Sequence, residues 1–216
     1  FRGILACLPG ICSLFMKDDT LVPLLSRLTL TGLRSENGGS RIEAARVSMK
    51  NIAMPCSLLR QYLAGNRPPF AQTAEGVYIE SSSVDSLASS TVTAQGSSAM
   101  SCRNIEIKGI GNCAIREYVV SGLNVTSGGQ TVILEKTVLR GIRVSAALLS
   151  EIMAYPASGA DKNPQALMRF ARALQDNGPM FSTVSIENLS IPLPPAAPFT
   201  IRKTDMEWKS VKPMTA

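Results

Sequence analysis

Apolar and polar residues alternate along most of this chain. Leu28–Leu33 reads LTLTGL, with Leu28 and Leu30 apolar and Leu33 following a glycine. The same apolar-x-apolar-x-small-apolar pattern returns at Val47–Ile52 (VSMKNI), Ile105–Ile110 (IEIKGI), Val184–Leu189 (VSIENL) and Met206–Val211 (MEWKSV). A period of two puts alternate side chains on one face, which predicts strands. The small residue, most often glycine or asparagine, lets the strand bend or bulge near its end. Elsewhere the period lengthens to that of a helix. Leu58, Leu59, Tyr62 and Leu63 predict one apolar helix face, and Leu148, Leu149, Ile152 and Met153 predict another. A third helix starts at Asn163-Pro164, carries Leu167, Phe170, Ala171 and Leu174 on one face, and stops at Asn177-Gly178-Pro179.

Two of these stretches are versions of one another. Residues 28–63 align without a gap on residues 118–153, at an offset of 90. Gly32 falls on Gly122, Leu33 on Leu123, Gly38-Gly39 on Gly128-Gly129, Ile52 on Ile142, and Leu58-Leu59 on Leu148-Leu149. Each copy reads strand, glycine turn, strand, short helix. The glycine pairs supply the positive φ that a tight hairpin needs. Ser145 is placed to cap the second helix and Gly65 to end the first.

The remaining segments join these units. Phe1–Met16 is an apolar run interrupted by Pro9-Gly10 and too short to span a bilayer as a helix. It reads either as the remains of a secretory apolar region or as a helix packed on the sheet or a partner. We expect an apolar N-terminal segment over 1–19 and a single β-rich domain over 20–216. Val77–Ile79 predicts a short strand. The serine-rich stretch Ser81–Ser101 predicts a long surface loop or a weakly paired edge strand at Ser90–Thr93. Phe181–Leu193 and Phe199–Val211 predict the last two strands, with Pro192-Leu193-Pro194-Pro195 turning between them.

Composition removes whole classes of chemistry. The chain has no histidine, so Ser–His–Asp and Cys–His catalysis and imidazole zinc sites are excluded. Cys7, Cys12, Cys56, Cys102 and Cys113 show no paired C-x-x-C spacing for an all-cysteine zinc site. Cys102 and Cys113 either pair across a hairpin in an oxidising compartment or remain buried thiols. Asp18-Asp19 reads as a solvated turn, and Gly109-Ile110-Gly111 and Gly128-Gly129 lack the spacing of a phosphate loop. No catalytic residue, metal ligand or cofactor site emerges, and we expect a chain that is not an enzyme. Lysine and arginine number 22 against 16 acids, a net charge of +6. That excess suits an anionic headgroup, but no Lys/Arg run or interleaved aromatics point to nucleic acid.

Gly32-Leu33, Gly38-Gly39, Ala45–Met49 and Leu58-Leu59 together make unit one resemble the repeating segments of AsmA/TamB-like envelope proteins. Unit two resembles them through Gly122-Leu123, Gly128-Gly129 and Leu148-Leu149. The resemblance covers about a third of the chain. It implies a curved β-sheet with an apolar concave face, a place in the bacterial periplasm or cell envelope, and a lipid or other hydrophobic ligand. The expected fold is therefore α+β: a mainly antiparallel curved sheet from two related strand–turn–strand–helix units, with short helices on one face. A parallel β-helix is the alternative architecture. The expected function is non-enzymatic binding of a lipid on the apolar sheet face. The alternative is a structural or accessory subunit of a larger membrane-associated complex.

Overall fold

A computed structural model describes residues 17–93, 96–154 and 164–208. The expectations for Phe1–Met16, the Asn163 cap and the end of the MEWKSV stretch lie outside them. The chain forms eight strands: β1 (Leu21–Asn37), β2 (Ser40–Pro55), β3 (Tyr78–Thr93), β4 (Gly96–Gly111), β5 (Ala114–Ser127), β6 (Gln130–Arg143), β7 (Thr183–Leu193) and β8 (Ala196–Glu207). They lie in one open, curved sheet in sequence order, every neighbour antiparallel. A parallel β-helix is thereby excluded. Gly38-Gly39 turns β1 into β2 and Gly128-Gly129 turns β5 into β6, with positive φ at all four residues.

Four short helices interrupt the meander. Helices α1 (Cys56–Leu63) and α2 (Phe70–Gly76) join β2 to β3, and α3 (Ala146–Ala154) and α4 (Pro164–Asn177) join β6 to β7. In an antiparallel meander both connections leave the same end of the sheet, where the β4–β5 turn also lies. The helices gather at that end, α2 against α3 and α3 against α4, rather than spreading over a face as the sequence led us to expect. The reason is their length: α1 spans 8 residues and α3 spans 9, too few to reach along strands of up to 17. Backbone bonds tie the end together. Asn112 N–H donates to Glu75 O (3.2 Å) and Val144 N–H to Cys113 O (2.9 Å). Asn177 braces α4 on β6, accepting from Ser145 N–H at 2.6 Å and donating to Arg143 O at 3.1 Å.

The helix capping follows the sequence. Ser145 Oγ accepts from Leu148 N–H at 3.2 Å, and Gly65, at φ +82°, closes α1. Leu58, Leu59 and Leu148 are buried, and Leu149 is partly so. Tyr62 and Ile152 are exposed, so the apolar helix face is narrower than the periodicity suggested. Val22, Cys56 and Leu59 form a small core with Leu24, Met54 and Leu63, where α1 folds onto the end of β1 and β2.

One further expectation is corrected and one alternative is resolved. Ser81–Ser101 is not a surface loop. It makes up most of β3 and the first part of β4, both in the interior of the sheet. Serine is a poor strand former by propensity, but a strand paired on both sides gets its stability from its neighbours. Ser48 and Ser83 hydroxyls, 2.8 Å apart across β2 and β3, and Ser40 with Thr91 at 3.2 Å show how that surface is used. Cys102 and Cys113 are both free thiols. Cys102 stands opposite Leu123 in the β4–β5 ladder, while Cys113 sits in the turn. The terminal strand runs Ala196–Glu207, opening before Phe199, and the expected end at Val211 lies outside the described residues.

Apart from Gly96 at the start of β4, seven strand residues have positive φ: Gly32, Asn51, Ser86, Gly109, Gly122, Gly141 and Asn188, one on each of β1 to β7. They are not scattered. The register places Gly32, Ser86, Gly122 and Asn188 in one row across the odd strands, and Asn51, Gly109 and Gly141 in a second row across the even strands. These rows crease the sheet. At each crease a neighbouring side chain crowds the left-handed residue. Asn51 Nδ2 donates to Glu80 and Asn188 Nδ2 to Glu135, while a Cβ on Gly122 would lie 3.0 Å from that of Arg103.

Candidate functional site: an apolar face across eight strands

The register assembles apolar residues from every strand into one continuous row and several nearly continuous ones, interrupted at Ser82, Thr137 and Thr204. One row runs Leu33, Ala44, Leu87, Cys102, Leu123, Leu134, Leu189, Ile201, with one residue from each strand. A second includes Leu30, Val47, Val84, Ile105, Val120 and Ile186. A third includes Leu28, Met49, Ile107, Tyr118, Leu139 and Val184. Toward the helical end, Ile52, Ile79, Ile110, Ile115 and Ile142 form an isoleucine ladder in line with Leu25.

Ordinary alternation would send some of these rows to the opposite face. The spacing explains why it does not. Apolar positions step by two between Leu28 and Leu30 but by three between Leu25 and Leu28 and between Leu30 and Leu33. Both three-residue steps cross a crease. At Leu30–Leu33 the left-handed Gly32 turns the strand about its axis, so the residue after it returns to the face that alternation had left; at Leu25–Leu28 the left-handed residue lies on the paired strand, at Asn51. The small-residue signature is thus the sequence imprint of an apolar face kept intact over two creases. Tyr118 and Cys102 fit this arrangement: they belong to rows on opposite sides of one crease, yet sit close enough to interact. Burial first, and the nearby Cys102 thiol second, push the Tyr118 hydroxyl above its ordinary pKa.

The opposite face is polar. Arg27, Arg46, Ser48, Lys50, Ser83 and Asp85 line one open depression of about 390 Å³ on it. Lys108, Glu117 and Arg140 are direct register partners there. Glu117 accepts from Lys108 Nζ and from Arg140 Nε, both at 2.9 Å, and these two hydrogen bonds hold its carboxyl below the usual carboxylate range.

Ala44, Cys102, Val120 and Val184 are buried at the middle of the apolar face. Among the described residues no second layer covers that region, because the helices sit at the end. The burial of these four residues comes from the neighbouring side chains of the same sheet. Toward the glycine-turn end and the edges the face opens: Ile42 is 50% exposed, Phe199 48%, Leu30 42% and Val125 36%.

Among the described residues there is no group of three or more Cys, Asp or Glu placed to hold a metal ion. Asp18 forms an ion pair with Arg60 at 2.6 Å on the outside of α1, and Asp19 is exposed. No helix among the described residues is long and apolar enough to cross a membrane. Comparison with protein families, curated proteins and solved structures found no match to the chain. The sequence pointed to the face through the strand signature, but it left the continuity of the rows unseen. Continuity depends on the register of Ser-rich β3, whose apolar contributions Ile79, Val84 and Leu87 are sparse.

Proposed function

We propose that this chain is a non-enzymatic cell-envelope protein, periplasmic in location, whose apolar sheet face binds a lipid acyl chain or a similar hydrophobic ligand. The observation that carries this reading is one apolar row across all eight strands, from Leu33 to Ile201, flanked by rows that are apolar at most positions and uncovered among the described residues. An exposed contiguous apolar surface of this kind marks a binding site on a folded domain. Each methylene buried there contributes about 0.8 kcal/mol, enough for useful affinity without polar specificity. The basic excess suits an anionic headgroup at the rim.

We read β1–β2–α1 and β5–β6–α3 as two copies of one unit. In support, Gly32 and Gly122, the two glycine pairs, and Asn51 and Gly141 hold positive φ at matching places. On this reading the ligand surface is built by repetition, and the two inner strands β3 and β4 extend it between the copies. The second reading is an accessory subunit of a membrane-associated complex. It is favoured by the exposed apolar residues of both edge strands, Leu30 and Leu33 on β1 and Phe199 and Met206 on β8, which suit a protein partner equally well.

Protein purified without detergent should carry phospholipid or fatty acid that mass spectrometry detects after extraction. Ile42→Glu together with Val125→Glu should remove it. Both side chains are already well exposed, so the fold tolerates the change. A lipid-free native protein that takes up no fluorescent fatty acid would sink the lipid reading and leave the accessory subunit.

A further inference from the structure

Both edges of this sheet are open among the described residues: β1 and β8 each pair on one side only. Long unblunted edges are templates for further pairing, and proteins that avoid it place proline, bulges or very short strands there. Here proline and the irregularity are confined to the ends, while Arg27 on β1 and Arg202, Lys203 and Asp205 on β8 put charges along the edges. Pro23 and the irregularity beside it precede Leu25, and no proline follows in β1; Pro198 lies near the start of β8, and none follows there either. The stretches Arg27–Leu33 and Ile201–Glu207 are thus free to accept a strand.

We propose that the partner of each edge is the other edge of a second copy of this chain, β8 of one molecule pairing antiparallel with β1 of the next. Three features of the sheet specify that contact. The first is direction: strands alternate, β1 and β8 run oppositely, and β1 of a second copy beside β8 continues the antiparallel order. The second is the crease. In the row through Gly32 the left-handed residue falls on every odd strand, and the even strands contribute Ala45, Arg103, Glu135 and Arg202. A strand added to β8 must supply the next odd position, which β1 does with Gly32. Arg202 then meets Gly32 as Arg103 meets Gly122 inside the sheet, where the arginine side chain lies against the glycine. The third is the remaining register, which this pair fixes. Leu33 meets Ile201, Leu28 meets Met206, and Arg27 meets Glu207, so apolar rows join apolar rows and opposite charges face each other. This contact is heterologous, so it repeats without closing unless the curvature brings the ends together.

Sedimentation velocity of the full chain across a range of concentrations tests this. The wild-type chain should self-associate in steps of one molecule. Arg27→Glu or Glu207→Arg alone should weaken association about tenfold, by turning a cross-strand attraction into a repulsion. An equimolar mixture of the two single variants should recover it. At one contact the two reversed charges, at position 27 of one variant and position 207 of the other, then face each other with opposite sign. At the next contact the unaltered Arg27 and Glu207 meet as in the wild type. A wild-type chain that is monomeric at every concentration overturns the proposal. So does association that neither reversal changes, or that the mixture fails to restore, since either places the contact on the apolar face or on like edges. Lipid extraction from the same samples keeps this outcome separate from the fate of the lipid reading, because neither Arg27 nor Glu207 lies on the apolar face.

Discussion

At the scale of single residues, the left-handed positions decide the shape of the sheet. An L-residue with positive φ costs of order 1–3 kcal/mol, which glycine avoids. Gly141 combines both penalties for substitution: φ is +61°, and an added Cβ would run into Ser182 Oγ. Gly141→Ala should therefore lower stability by about 1–3 kcal/mol in urea denaturation. A change below about 0.5 kcal/mol, the range of neutral surface substitutions, would mean that the crease relaxes freely. Glu117 makes a different prediction. Its two hydrogen bonds depress its folded pKa. The stability it contributes is full above the unfolded carboxylate value, near about 4.3, and is lost as pH falls through the folded value. Glu117→Gln should thus flatten the acid side of a plot of Tm against pH, below about pH 4.3, while leaving neutral and alkaline pH behaviour parallel to wild type. An unchanged acid limb would show that Lys108 and Arg140 bind Glu117 no better than water does.

At the scale of elements, what was legible in the sequence was local, and what was not depended on pairing. The hairpins at Gly38-Gly39 and Gly128-Gly129, the cap at Ser145 and the stop at Gly65 are each written in a few adjacent residues. The signature at Gly32, Asn51, Gly109 and Asn188 was read as a strand end where the chain bends; all four have positive φ, but Gly32 and Asn188 lie inside their strands. Ser86 escaped notice because its neighbours, Asp85 and Leu87, make a weak pattern. Its conformation is imposed by the row it occupies. The same holds for β3 as a whole: Ser81, Ser82 and Ser83 carry little strand preference of their own, and their place between β2 and β4 comes from register. The helices show the converse limit. Periodicity placed Leu148 correctly in the core, and it is fully buried. Periodicity could not tell that the helices would assemble with each other at the sheet end, which leaves Tyr62 and Ile152 exposed. Leu148→Ala should cost about 2–5 kcal/mol, the range for a buried leucine. Ile152→Ala should cost well under that in the same denaturation assay. Equal losses at both positions would mean that α3 is seated differently.

At the scale of the molecule, an eight-stranded meander with one helical end and, among the described residues, no second layer has an uneven distribution of stability. Local opening costs least where few buried contacts must break. The buried residues outside the helical end lie on β2 to β7: Ala44 on β2, Ser82 on β3, Cys102 on β4, Val120 on β5, Val138 on β6 and Val184 on β7. Strand β1 is exposed along nearly its whole turn-side half, and β8 along most of its length. The edge strands also present half of their backbone groups to solvent. Amide exchange followed by mass spectrometry at low protein concentration should therefore rank β4 and β5 as slowest and β8 as fastest, with β1 slow only near Val22, where α1 holds it. Raising the protein concentration then separates the two uses of the sheet. Edge-to-edge pairing slows exchange in Arg27–Leu33 and Ile201–Glu207 together and leaves the centre unchanged. A fatty acid bound on the apolar face at low protein concentration slows the strands beneath it without that joint response of the edges. Edges that exchange as slowly as the centre in dilute solution would contradict the picture of two open edges, because a strand paired on one side cannot match one paired on both.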